Sequence, residues 1–175
     1  MLTEFYLAFG PVCFTLLGLW LVVIQTRHED WRGVTADKRR NQRRAYAVAM
    51  HFALPGLMSV LALIDSASTT LWRVSFAIVA GGGALVLVFV RGSLPGRMGQ
   101  AAYVAAIALY ALIAVLAVGP SLATDVGLSV RALRAEAVLL TVLVFLGVNV
   151  AWLLLFEETP VADDSAAGIG RRDAA

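Results

Sequence analysis

The chain has 175 residues, of which 60% are apolar and 15% charged, with a mean hydropathy of +0.82 and a formal net charge of +2. Soluble domains are roughly 45–50% apolar and about 25% charged, so the composition excludes an ordinary water-soluble domain. Five apolar stretches together contain one formal charge, that of Arg73, while the other charged residues lie between or after them. This distribution is typical of a protein that crosses a membrane several times.

The five stretches are long enough to cross a bilayer, since a helix needs roughly 20 apolar residues to span a hydrocarbon core about 30 Å thick. Their apolar runs are continuous, whereas barrel strands alternate polar and apolar residues. The sequence therefore predicts an all-α fold, a polytopic five-helix transmembrane bundle over residues 1–156, followed by a disordered cytoplasmic tail at 157–175. The predicted spans are 5–26, 45–64, 71–90, 101–118 and 137–156.

The placement of the cations predicts the orientation. Eleven lie on the side that holds segments 27–44, 91–97 and 171–172, and only Arg73, Arg131 and Arg134 lie on the other side. Because Arg and Lys near span ends stay in the cytoplasm, the N-terminus is predicted outside and the C-terminus inside. Arginine outnumbers lysine 13 to 1, which favours a GC-rich bacterial gene and hence the cytoplasmic membrane.

A basic segment precedes the second span. Thr35 or Asp37 is predicted to cap a helix that runs through this segment into the span without a breaker. Its cations fix the topology, and we predict that they also contact anionic phospholipid head groups. No aromatic side chains for base stacking are interleaved with them, so nucleic acid is not a predicted partner. The predicted lipid contacts are Lys38, Arg39, Arg40, Arg43 and Arg44.

His51 is the only histidine within a predicted span, and it lies four residues before Pro55. A proline inside a helix frees the carbonyl four residues earlier, here that of His51, so the sequence predicts a kink. Ionisable groups inside membranes point to function. His51 and Pro55 are therefore candidates for a gate or a proton relay. The alternative interpretation is that His51 only forms a hydrogen bond to a neighbouring helix.

Other polar residues carry weaker predictions. Asn149 is the one amide deep in a span and is predicted to hold helices together. Asp65 and Arg73 flank the link between spans two and three and are predicted to form an interfacial ion pair. Glu136 is predicted to lie on a helix that emerges from the membrane, without a functional role, so the membrane interior is predicted to contain no formal charge.

The chemistry missing from the sequence limits the functions. The chain has one cysteine, no lysine within a span, no nucleophile beside a base and no metal motif, so neither an enzyme nor a metal site is predicted. A second axial ligand to accompany His51 is lacking, so no haem or other cofactor is predicted.

We therefore predict an accessory or scaffold subunit of a membrane complex, whose partners are other membrane proteins or further copies of the chain. Two alternatives stay open. One is a subunit of a homo-oligomeric channel or transporter with His51 near the pathway, and the other is a haem, redox or other membrane enzyme.

Overall fold

The computed structural model describes residues 2–27, 35–64, 69–90, 96–119 and 132–156, which are helical apart from a few terminal residues. The predicted disorder of the tail falls outside these ranges. The five helices are each long and apolar enough to cross a membrane, which confirms an all-helical chain with five such segments. They are α1 (Leu2–Thr26), α2 (Ala36–Ile64), α3 (Thr69–Val90), α4 (Gly96–Val118) and α5 (Ala132–Phe156).

Each helix contains one predicted span, and α2 extends furthest beyond its span. The carbonyl of Thr35 accepts the amide of Arg39 at 3.0 Å, so Thr35 is the residue that caps α2, one of the two predicted positions. The helix then continues through the basic segment and through Pro55 to Ile64, over 29 residues.

Four of the helices close a ring. α2 packs against α3, α3 against α4, α4 against α5, and α5 against α2, while α1 lies outside the ring against α2 and α5. All five helices contribute to one buried apolar core. Large apolar side chains on the outer surface stay exposed, among them Phe89, Phe145 and Phe156. An outer surface of this kind suits contact with lipid tails, which are as apolar as the core.

Contacts between helix ends define the two ends of the bundle. Near the start of α1, the Tyr6 hydroxyl donates to the carbonyl of Leu133, near the start of α5. Near the end of α1, the indole of Trp20 donates to the carbonyl of Ala45, in the first half of α2. We call these the Tyr6 end, where α1, α3 and α5 begin, and the Trp20 end, where they finish.

Candidate functional site

The interior face of α5 positions the groups most suited to chemistry. Its buried residues recur every three or four positions, which is the spacing of one face of a helix. Glu136, Leu140, Leu143, Gly147 and Leu154 lie on this face. Glu136, at the Tyr6 end, and Gly147, which faces His51, therefore both lie on the side of α5 that is turned towards the bundle interior.

His51 is 3% exposed and lies inside the ring. Its Nδ1 is 2.7 Å from the carbonyl of Ala47, one turn earlier in α2. Because a carbonyl only accepts, Nδ1 carries the hydrogen, and Nε2 of the neutral ring is left as an acceptor. Nε2 is buried and has no hydrogen-bond partner in the described part of the chain. Pro55, which follows one turn later, is also buried.

Neighbouring helices enclose the imidazole closely. Gly147 of α5 lies directly against it, since a Cβ added there would be 2.5 Å from the Cβ of His51. The ring of Tyr110 on α4 meets the imidazole edge-on, with ring centroids 6.2 Å apart. The Tyr110 hydroxyl donates to the carbonyl of Met50 at 3.1 Å. His51 thus sits between α2, α4 and α5 of one chain.

Removing the Tyr110 hydroxyl tests how much its hydrogen bond to the Met50 carbonyl stabilises the bundle. We expect Tyr110→Phe to lower the free energy of unfolding by about 1 kcal/mol, the usual contribution of one interhelical hydrogen bond. Tyr46→Phe is the matched control, because Tyr46 on α2 is 49% exposed. Unfolding by SDS in mixed micelles measures both, and equal stabilities would show that the hydroxyl contributes nothing.

Glu136 is fully buried, at 0% exposed, near the Tyr6 end. Neither carboxyl oxygen has a hydrogen-bond partner among the described residues. The Arg73 guanidinium on α3 and the Tyr6 hydroxyl on α1 interact with the carboxyl only through space. Glu136 is therefore a second ionisable group of the bundle interior, beside His51, and its side chain does not lie on a water-exposed part of α5.

Once Gly147 is known to face His51, helical spacing places Glu136 on the same side of α5. Counting back from Gly147 along the interior face of α5, in steps of three or four residues, passes Leu143 and Leu140 and reaches Glu136. The predicted span begins one residue later, because a charged residue is expected at the boundary of a span.

Arg73 is half-buried at the Tyr6 end, and its Nε donates to the carbonyl of Ala117 on α4 at 3.1 Å. Asp65, its predicted ion-pair partner, lies outside the described residues. The pair stays a prediction, and Arg73 is seen to connect α3 to α4.

Among the described residues, the Asn149 amide forms a hydrogen bond only within its own helix. The side chain is exposed, and Nδ2 donates to the carbonyl of Phe145 on the same helix at 2.7 Å. The prediction that Asn149 holds helices together therefore stays a prediction, for a contact outside the described residues of this chain. Its amide faces outward, on the side of α5 opposite to Glu136 and Gly147.

The predicted lipid-contacting cations divide into two groups. Arg39, Arg40 and Arg43 are exposed, and Lys38 is half-buried. Arg44 is only 5% exposed, and its Nη1 lies 3.4 Å from Oδ1 of Asn41. Arg44 is therefore part of the protein interior at the Trp20 end rather than of its lipid-accessible surface.

Six polar side chains connect different parts of the bundle. Six side chains donate to a backbone carbonyl of a different part of the bundle, at 2.6–3.2 Å, and each such bond satisfies a group that lipid could not. These bonds are Tyr6 to Leu133, Trp20 to Ala45, Arg27 to Leu155, Ser59 to Tyr6, Arg73 to Ala117 and Tyr110 to Met50.

Comparison with known proteins adds no candidate chemistry. No family model, no curated protein and no solved structure matches this chain. Within the five described ranges, no group of three His, Cys, Asp or Glu residues could hold a metal ion.

Proposed function

We propose that the protein is an accessory or scaffold subunit of a membrane complex, with its N-terminus outside and its C-terminus in the cytoplasm of a bacterial cell. The observation that carries the proposal is the set of six side-chain-to-carbonyl bonds between different parts of the bundle. In an enzyme or carrier, polar side chains converge on a substrate. In this protein, the six bonds are donated by hydroxyl, indole and guanidinium groups to backbone carbonyls of the same chain.

The surface supports the same proposal. Large apolar side chains cover the outer faces of the helices. Short stretches of small residues let a neighbouring helix approach the backbone closely. Ala101, Ala105 and Ala108 are exposed on one side of α4. A rigid bundle with such faces is suited to packing beside other membrane proteins.

Purification from native membranes tests the function. We expect the tagged protein, extracted in a mild detergent, to retain another membrane protein in a fixed stoichiometry. A second extraction in a harsh detergent serves as the control, and should release that protein while the five-helix chain stays on the resin. A chain that is recovered without any other membrane protein, from membranes in which it is natively expressed, would contradict the scaffold function.

We also propose that the exposed cations at the Trp20 end bind anionic phospholipid. Arg39, Arg40 and Arg43 are exposed just before the membrane-crossing part of α2, where each cation contributes about 1 kcal/mol of attraction to an anionic surface. Arg44, being buried, is left out of this site.

Replacing these three arginines tests the lipid site. We expect the triple substitution Arg39→Gln, Arg40→Gln and Arg43→Gln to weaken binding of anionic lipid by roughly a hundredfold, since about 1 kcal/mol is lost per cation. Native mass spectrometry of the protein titrated with anionic lipid gives the affinity. Arg134→Gln, an exposed arginine at the Tyr6 end, is the control and should leave the affinity unchanged. An unchanged affinity in the triple variant would remove the lipid site.

A second candidate function, a channel or transporter, has one supporting observation. Both Nε2 of His51 and the carboxyl of Glu136 are buried in the interior without a hydrogen-bond partner among the described residues. Because His51 lies inside the ring of one chain, a pathway that uses it would run through a single bundle. A pathway between copies would pass the outer faces and not meet it.

A further inference from the structure

The outward face of α5 combines an apolar surface with one polar group. Its exposed residues follow the three-to-four-residue spacing of a helix face. They are Val138, Thr141, Val142, Phe145, Asn149, Trp152 and Phe156. Trp152 and Phe156 stack at a ring distance of 5.4 Å near the Trp20 end, as aromatic side chains do at a membrane interface.

Asn149 lies deep enough to be surrounded by lipid tails. Its position is seven residues before the end of α5, which is about 10 Å along the helix. A 25-residue helix is about 37 Å long, against a hydrocarbon core of about 30 Å, so the amide is several ångströms inside the core.

The Asn149 amide keeps unused hydrogen-bonding capacity. One N–H donates to the Phe145 carbonyl, and the described residues give the amide no other hydrogen bond. The second N–H and the carbonyl oxygen need an acceptor and a donor that lipid tails cannot supply. Thr141, the other polar residue of this face, donates its hydroxyl to the carbonyl of Ala137 and needs no partner.

A second copy of the chain supplies both missing groups. The 11-to-3 asymmetry in the cations is expected to insert every copy in the same direction. Two α5 helices are then parallel, and their Asn149 amides lie at the same depth. A two-fold axis normal to the membrane brings the amides together, and each carbonyl accepts the free N–H of the other.

We propose that two copies of the chain form a parallel dimer through the outward face of α5, with Asn149 paired to Asn149 at its centre. Phe145 and Trp152, about one turn away on either side, pack around the paired amides and exclude lipid. The dimer does not rest on the scaffold function, because it forms between copies of this chain alone.

Cysteine cross-linking in liposomes tests the dimer without any partner protein. In a Cys13→Ala background, single cysteines replace Phe145 or Trp152 on the outward face of α5, and Ile78 on the exposed face of α3 as the control. We expect disulfide-linked dimers at Phe145→Cys and Trp152→Cys, and only background levels at Ile78→Cys. Equal cross-linking at all three positions, or a monomer throughout, would overturn the proposal.

Substitution of the amide isolates its role. We expect Asn149→Leu to weaken dimerisation on the order of tenfold, measured by energy transfer as the protein is diluted in lipid. Asn149→Gln retains an amide and should retain most of the dimer, and Thr141→Val should have no effect. Dimerisation that Asn149→Leu leaves unchanged, while circular dichroism shows the variant folded, would exclude the amide pair.

Discussion

We expect Gly147→Ala to lower the free energy of unfolding of the bundle by about 3 kcal/mol, towards the upper part of the range for overpacked cores. The added Cβ would lie 2.5 Å from the Cβ of His51, a distance at which one of the two helices must move. A Cβ cannot turn away as the end of a long side chain can. The substitution therefore separates α5 from α2 at the depth of the imidazole.

Two other glycines provide matched controls for Gly147→Ala. A Cβ added at Gly81 or Gly82 of α3 would have no other heavy atom within 4 Å. Their alanine variants should be as stable as the original chain, or more stable by up to about 1 kcal/mol through helix propensity. The fraction of SDS needed to unfold each variant in mixed micelles gives the comparison. If Gly147→Ala is as stable as the two controls, α2 and α5 do not pack closely at His51.

The second large effect is expected at Glu136, where Glu136→Met should raise the free energy of unfolding by about 1–2 kcal/mol. Burying a carboxyl without a hydrogen-bond donor is costly, and well-packed apolar replacements of buried charges are often stabilising. Methionine has a similar length and adapts to an irregular space. Arg73 would lose its counter-charge but keeps the bond from Nε to the Ala117 carbonyl.

Two further variants separate charge from shape at Glu136. Glu136→Gln removes the ionisable group and keeps the size, and should fall between the original chain and Glu136→Met. Arg134→Met changes an exposed residue of the same helix and should shift the stability by no more than about 0.5 kcal/mol. A loss of more than about 1 kcal/mol in Glu136→Met would mean that attraction to Arg73 outweighs the burial of the carboxyl.

The spans could be predicted from the sequence because hydrocarbon imposes one requirement along the whole chain. Apolar length alone identified the helices, and the basic segment before the second span was recognised as helical because it contains no breaker. Helix ends were less certain. The described part of α5 includes five residues before its predicted span, and Glu136 among them is buried against other helices.

Which face of each helix turns inward could not be predicted. In a soluble protein, polar residues mark the outer face, but here lipid and core are equally apolar and no such contrast exists. The sequence predicts that Asn149 holds helices together but does not indicate on which side of α5 it lies, and its amide faces outward. Arg44 was grouped with its exposed neighbours, although it is buried. His51 is buried in the bundle, and its contacts with Tyr110 and Gly147 could not be predicted because they join segments far apart in sequence.

The most direct test of the scaffold account compares the original chain with a variant that lacks the His51 imidazole and the Glu136 carboxyl, two interior groups that could accept a proton and that contain atoms without a hydrogen-bond partner among the described residues. His51→Asn combined with Glu136→Gln removes both, and an asparagine in α2 can bond the carbonyl one turn earlier, as Asn149 does in α5. Partner protein retained in mild detergent and proton or ion flux into liposomes are measured on the same preparations. We predict that both proteins retain the same amount of partner protein. We also predict that neither gives a proton or ion flux above that of empty liposomes. Flux in the original chain that the folded double variant lacks would contradict the scaffold function and support transport through His51 and Glu136.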